Sequence, residues 1–497
     1  MNYNLLEEEW LPVLWKNGVT NRVGIIEALT QAHRIRQIAA SNPMDRVAIL
    51  RFLLALLYWC KWNTDDVNAP PGGSIPEEWI NFLNNHKQLF DLIGDQSRFY
   101  QDHDVGGEEV AVTNLLHDLP SGTNIAHFRH VKDFHDGLCL ACCAVGLLRW
   151  PGFASASKFG KKEQMAACIN GNTPAYSIRT SSNLLETLWL SWPSSSPVNG
   201  DAPVWKGADE ASPPGFLKNM TWRSRSILLA PQDIHSGCCC YCSKPTDYLI
   251  KEIIFRPGWP RPSKEPWTDD PQLLWVENKD NRGKVKRIIP KWPGPNEALE
   301  GHAAIWRSVL QGLLQYPVVN QTVPTQFHTT LVGASQALYK HAETHIVDMP
   351  GLDSNITQDL LNELNWLRKL SWKTTSARTI DWEKRPKGHV VIDALCSTAG
   401  KGQAIRSGLC VFSFLAEKEL EEAFERLIQD LASADPADTD SHAQWLGNWT
   451  EEVREIIYRN VREVIGFTTT GSPLHRREAR HQANEAVRKL FLMKGAK

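Results

Sequence analysis

The chain has 497 residues, with 54 Lys plus Arg against 56 Asp plus Glu and a formal charge of -2. Near-neutrality excludes a globally basic nucleic-acid coat, and a composition of 42% hydrophobic and 22% charged residues excludes a disordered chain. The length suits about two to four domains, and the longest apolar stretch, residues 47–60, carries Arg51 and falls short of the roughly 20 residues that cross a bilayer.

The opening MNYNLLEEEW is acidic and lacks the basic-then-apolar pattern of a secretory signal, so a cytoplasmic protein without disulfides is expected. Residues 10–13 and 22–26 read as short strands around the Asn17-Gly18 turn, the strongest local hairpin signal. Asn42-Pro43 opens a helix in which Val47, Leu50, Phe52, Leu53 and Leu56 recur at helical spacing, apolar enough all round to be buried. Residues 193–215, rich in Pro, Ser and Gly, predict a long surface loop. Between Pro257 and Pro295 eight prolines alternate with strand-like runs at 273–276 and 285–289.

Beyond Asp353 amphipathic helices take over. Leu360, Leu361, Leu364 and Leu367 begin the first. Leu420, Phe424, Leu427, Ile428 and Leu431 mark the second, Val453, Ile456, Ile457, Val461 and Val464 the third, and Ala479, Ala483, Val487, Leu490 and Phe491 the fourth. The expected fold class is α+β: a mixed N-terminal globular domain over residues 1–352 and a C-terminal four-helix bundle over 353–497. Within the bundle, residues 417–463 carry 13 acidic and 5 basic side chains, whereas 475–497 carry 7 basic and 2 acidic. Such segregation suits either a face for phosphates or helices that pair with each other.

The 11 cysteines are clustered. Cys139-Leu-Ala-Cys142 and Cys239-Cys-Tyr-Cys242 each have the CxxC spacing that lets two thiolates grip one tetrahedral zinc, and together they make a closed structural four-thiolate site. The alternative is that Cys139, Cys142 and Cys143 are small apolar residues of a buried helix. It does not account for the turn-rich run at 237–245, which has no apolar periodicity.

Enzyme signatures are weak. His103-Asp104, His117-Asp118 and His135-Asp136 each supply the dipeptide of metal-dependent phosphohydrolases, which need further ligands. A zinc-stabilised phosphohydrolase or nuclease is therefore the alternative function. Gly333-Ala-Ser335-Gln-Ala337 approaches a nucleophile elbow but has Ala where the last Gly belongs. Residues 152–162 lack the spacing and the Gly-Lys-Ser/Thr ending of a P-loop.

The opening Asn4-Leu-Leu-Glu-Glu-Glu-Trp10-Leu-Pro-Val13, the run Thr123-Asn124-Ile-Ala126 before the first CxxC, Pro151-Gly152-Phe153 after it, the second CxxC and the C-terminal helices occur in an order that resembles the CasA family. CasA proteins are large subunits of the type I-E CRISPR Cascade complex. The resemblance implies a non-catalytic, cytoplasmic subunit of an RNA-guided antiviral complex. It would recognise the protospacer-adjacent motif in duplex DNA, start strand separation and help recruit the helicase-nuclease. The partners implied are guide RNA, target double-stranded DNA, the other Cascade subunits and the helicase-nuclease effector, with no membrane.

The resemblance also carries residues. The family's loop to guide RNA and neighbouring subunits resembles residues 123–137, with His127, Phe128, Arg129 and His130 as contacts. Its glycine loop at the motif duplex resembles residues 152–160, where Gly152, Ser155 and Ala156 would allow close approach and Lys158, Lys161 and Lys162 would attract phosphate. Its glutamine wedge at a β-hairpin tip resembles Gln336, followed by Ala337. Its minor-groove lysine corresponds to Lys279 or Lys284 in a charged hairpin.

Overall fold

The computed structural model describes residues 3–64, 74–94, 98–116, 137–159, 163–172, 174–192, 198–230, 235–279, 285–289, 310, 326–334, 339–348, 354–375, 419–420, 422–431, 438–468 and scattered positions between 473 and 491. The chain divides into two compact units, one of residues 1–290 with 315–347 and one of residues 291–314 with 348–497.

The first unit begins with β1 (Tyr3–Asn4), β2 (Leu11–Trp15) and β3 (Thr20–Val23). Gly18, at φ 86°, makes the β2–β3 turn that Asn17-Gly18 predicts. The second strand ends earlier than the sequence suggests. A Cβ at Gly24 would lie 2.6 Å from the Leu6 carbonyl oxygen, and the Ile25 and Ile26 amides donate to Leu5 and Leu6. That close approach turns the chain into α1 (Ile25–Thr30) instead of extending β3 to residue 26. Strand β4 (Ile35–Ile38) then pairs on the other side of β2.

Helix α2 (Pro43–Asn63) starts where expected: the Asn42 side chain accepts from the Met44 amide at 2.9 Å, with Pro43 in the first turn. Every residue from Val47 to Cys60 is buried, Arg51 included. At about 1.5–3 kcal/mol for each fully buried large apolar side chain, this helix is the centre of the core. It is followed by α3 (Glu77–Asn85), β5 (Asp91–Ile93), which pairs with β1, and β6 (Glu109–Ala111). Strand β7 (Leu138–Cys139) runs directly into α4 (Leu140–Phe153), which is buried over its whole length and packs on α2.

Two buried ion pairs fasten these helices. Arg149 of α4 forks onto Asp45 of α2, with Nη2 2.8 Å from Oδ2, and Arg51 of α2 meets Asp270 at 2.5 Å. The short hairpin β8 (Ser157–Phe159) and β9 (Glu163–Met165) leaves the end of α4. It is followed by β10 (Ala175–Thr180) and α5 (Leu184–Trp189).

The segment expected as a long surface loop is partly interior. Val204, Trp205 and Ala208 are buried, and the Trp205 ring lies 5.4 Å from Phe52 and 5.8 Å from Phe99, centroid to centroid. One tryptophan anchors a stretch whose Pro, Ser and Gly content reads as solvent-facing. The chain then enters α6 (Phe216–Met220).

Strands β11 (Arg225–Ala230), β12 (His235–Cys238), β13 (Pro245–Ile250) and β14 (Glu252–Pro257) build two sheets, ordered β11-β14-β6 and β12-β13-β7. The proline-rich region contains a hairpin, β15 (Val276–Lys279) with β16 (Val285–Ile288); its second strand falls on the expected run, whereas the first begins only at Val276, the end of the run expected at 273–276. Finally β17 (Gln326–Ala334) and β18 (Tyr339–Asp348) form a sheet with β10 in the order β10-β17-β18.

The second unit contains helices at Ser354–Thr375 and Thr439–Thr468, with residues 422–431 also helical. Leu360, Leu364, Phe424, Leu427, Trp449 and Val453 are buried, as their periodicity requires. Trp449 donates to Glu363 at 2.7 Å and packs its ring on Phe424. Acidic side chains of this region pair with its own arginines, Arg426 with Glu452 and Arg459 with Glu419. No helix among the described residues is long and apolar enough to cross a membrane.

Candidate metal centre

The two CxxC runs, a hundred residues apart in sequence, are brought together by a strand pairing. Strands β12 and β13 form a hairpin in which Cys238 faces Pro245, so residues 239–244 make its tip. The other edge of β13 takes β7, with Leu249 opposite Cys139 and Ile250 opposite Leu138. Cys139 therefore ends a strand beside the hairpin, and Cys142 follows in the first turn of α4. Backbone bonds shape the tip: Ser243 N donates to Cys239 O at 2.8 Å, Cys239 N to Lys244 O at 2.9 Å and Cys240 N to Gly137 O at 3.1 Å. Gly137 is needed here, since at φ +99° a Cβ would lie 2.7 Å from the Ile250 carbonyl oxygen.

The result is one cluster of four sulfurs, Cys139, Cys142, Cys239 and Cys242, all within 4.8 Å of one another. The Sγ atoms of Cys139 and Cys242 are 3.7 Å apart. A tetrahedral ion with metal–sulfur bonds of about 2.3 Å requires sulfur–sulfur edges of about 3.8 Å, so the cluster fits. A set of four thiolates leaves no position for a reactive water, which is the arrangement of a structural site. Among the described residues, this is the group of three or more His, Cys, Asp or Glu side chains that can hold a metal ion.

Electrostatics agree with the geometry. Hydrogen bonding with Cys139 raises the Cys142 thiol above the usual range, whereas hydrogen bonds from Cys139 and Cys142 draw Cys239 down to about 6. Four crowded sulfurs cannot all ionise without a cation among them. Cys143 behaves differently. It is fully buried, its sulfur lies 3.9 Å from the Leu138 carbonyl oxygen, and it is the core cysteine that a buried helix predicts.

Two neighbours of the cluster carry no signal in the sequence. Arg22 of β3 donates from Nη1 to Cys139 Sγ at 3.9 Å and from Nη2 to Cys142 Sγ at 3.8 Å. Burial opposes its charge, but the Cys142, Cys242 and Cys139 sulfurs more than offset that and raise its pKa. Tyr241, between the second pair of cysteines, receives a hydrogen bond from Arg149 Nη2 at 3.1 Å. Arg22 is far from the cluster in sequence and belongs to a different sheet, so only tertiary packing reveals it.

The remaining site residues are distributed along the first unit. Gly152 is not part of a loop: it lies in the last turn of α4, buried, with its carbonyl accepting from the Tyr176 hydroxyl at 2.6 Å. This corrects the expectation that Gly152 belongs to a loop open to close approach by DNA, because the helix continues to Phe153. Ser155 and Ala156 follow it, held by Asn172: the Ser155 hydroxyl donates to its carbonyl at 3.3 Å and the Ala156 amide to its Oδ1 at 2.8 Å. Lys158 lies on β8, while Lys161 and Lys162 fall outside the described residues. Lys279 ends β15, and Lys284 lies outside the described residues.

Gln336 and Ala337 also lie outside them, in the sequence that joins the paired strands β17 and β18. Tyr339 and Lys340 are on a strand, so the chain does not enter the helix that a nucleophile elbow requires. His127, Phe128, Arg129 and His130, like His117-Asp118 and His135-Asp136, are outside the described residues. His103 accepts from the Arg98 amide at 3.0 Å in an exposed turn and joins no metal-binding group among the described residues.

The family model for CRISPR-associated protein Cse1 matches residues 4–352. The CRISPR-associated protein CasA/Cse1 of Thermus thermophilus is 30% identical over 248 residues, 46% of this chain and 49% of that protein, so the match spans about half the length of this relative. The crystal structure of Thermus thermophilus CasA shares the fold with a TM-score of 0.65 at 18% identity, covering 99% of both chains. A chain of a CRISPR RNA-guided surveillance complex, in a pre-nicking state, aligns with a TM-score of 0.55 at 15% identity over 98% of both chains. Because the family model covers most of the sequence and the fold agrees along nearly all of it, the chain belongs to the CRISPR-associated Cse1 family, also called CasA.

Proposed function

We propose that this protein is the non-catalytic large subunit of a type I-E Cascade complex. In that role it recognises the protospacer-adjacent motif in duplex DNA, starts strand separation and helps recruit the helicase-nuclease. The observation that carries the reading is membership of the Cse1 family, supported by a fold shared with a surveillance-complex chain over 98% of this one. Its partners are then guide RNA, target duplex and the other Cascade subunits. The four cysteines hold a structural zinc, which supplies no chemistry beyond fixing the hairpin tip against α4.

The DNA-facing parts are assigned to three hairpins of the first unit. The β8–β9 hairpin bears Lys158, with Lys161 and Lys162 in the sequence between its strands, and attracts phosphates without reading bases. The β15–β16 hairpin bears Lys279 at the end of its first strand, with Lys284 just before its second. Between β17 and β18 the chain carries Gln336, whose flat amide can take the place of a displaced base pair at a cost of roughly a few kcal/mol of unstacking. Ser155 and Ala156 provide the close approach that the glycine-poor loop still permits. His127, Phe128, Arg129 and His130 contact guide RNA and neighbouring subunits. We assign residues 353–497 to a four-helix bundle.

The test is reconstitution with guide RNA and the remaining subunits. Gln336→Ala should slow R-loop formation on a fully paired target, and mismatches next to the motif should rescue much of the loss because they have already met part of the unstacking cost. Equal rates for the two proteins on paired DNA would remove the wedge. An equal defect on paired and pre-opened DNA would assign Gln336 to folding or docking.

A further inference from the structure

We propose that Arg22 is a positioning residue of the metal centre, a counter-cation built into the N-terminal sheet that sets how tightly the four cysteines hold their ion. This rests on the structural-zinc reading above. A divalent ion with four thiolates carries a net charge of about -2, and three of the four cysteines are buried. Uncompensated buried charge is strongly unfavourable, so such a centre needs donors or a cation beside its sulfurs.

Arg22 meets that need with a fork. Its two terminal nitrogens reach different sulfurs of the same CxxC pair, Nη1 to Cys139 at 3.9 Å and Nη2 to Cys142 at 3.8 Å. A planar guanidinium can span two acceptors in this way, whereas a lysine ammonium acts as a single point of charge. The side chain is aimed by its strand: Arg22 sits opposite Pro12 in the β2–β3 register, on the outer strand of the β3-β2-β4 sheet. Arg149, the other guanidinium tied to this region, is already engaged by Asp45 and Tyr241. The contact has a second consequence. It joins the N-terminal hairpin to residues 117 and 120 positions further along the chain, so metal loading and docking of that hairpin reinforce each other.

The experiment uses the full-length protein and zinc alone, with affinity read by competition against a chromophoric chelator. Arg22→Gln should weaken zinc binding by about 10–100-fold, the usual effect of removing an outer partner of a metal ligand. Arg22→Lys should recover most of that loss, because it restores the charge and loses only the fork. Melting at saturating zinc, with all three proteins within a few degrees, establishes that the variants fold. Zinc-binding wild type with an unchanged affinity in Arg22→Gln overturns the role of Arg22 and leaves the metal reading standing. Equal weakening in the Gln and Lys variants also overturns it, by assigning the effect to packing. Wild-type protein that takes up no zinc overturns the metal reading itself.

Discussion

Cys139 and Cys142 stand where β7 runs into α4, a helix buried from end to end and fastened to α2 by the Arg149–Asp45 fork. Cys239 and Cys242 stand on the tip of the β12–β13 hairpin, whose neighbours Cys238, Ser243 and Lys244 are open to solvent. The first pair is positioned by an element packed in the hydrophobic core. The second is held by a few backbone bonds, one to Gly137, and by Tyr241 against Arg149. A metal ion bound at this junction would therefore stabilise the two sides unequally, with most of its contribution falling on the hairpin tip.

Removing the metal should produce the largest difference between the halves. Zinc binding in small finger peptides is worth about 10–16 kcal/mol. Here chelation should abolish amide-exchange protection at residues 239–244 while residues 140–153 keep theirs. Equal loss on both sides, read by hydrogen exchange with mass spectrometry, would mean that the core does not hold the first pair by itself.

A cut at the base of the first half should come next. Asp45→Ala leaves the Arg149 guanidinium buried without its carboxylate and should cost about 3–5 kcal/mol in denaturant unfolding. If that loss is instead below about 1 kcal/mol, the ion pair is not what anchors α4 to α2.

Smaller effects separate ligands from bystanders. Cys143→Ser places a hydroxyl in a fully buried site where the sulfur's partner among the described residues is the distant Leu138 carbonyl, and should cost about 1–3 kcal/mol with zinc content unchanged. Cys238→Ser, at an exposed thiol outside the cluster, should leave zinc content intact and move stability by no more than about 0.5 kcal/mol. Loss of zinc in either variant, measured by metal analysis of purified protein, would redraw the ligand set.

Much of this centre was legible in the chain because CxxC spacing is a local property. Two thiolates must be a few residues apart to grip one ion, and no tertiary information is needed to see that. The start of α2 was legible for the same reason, since Asn42 caps the helix through the Met44 amide two residues on. The end of β3 was not. Gly24 turns the chain because the carbonyl of Leu6, distant in sequence, lies where a side chain would be.

The sequence alone determined the identity of the four candidate ligands, the buried character of α2 and the amphipathic periodicity of the helices described beyond residue 353, since spacing, periodicity and capping act over one or two turns of chain. Only the tertiary structure decided that Gly152 belongs to a helix, that Trp205 draws a polar-looking segment into the core and that Arg22 reaches the sulfurs. Each of those involves a partner tens of residues away or more, brought close by the packing of separate elements. Local spacing contains no record of such a partner, because the free energy that selects it arises only when the elements meet.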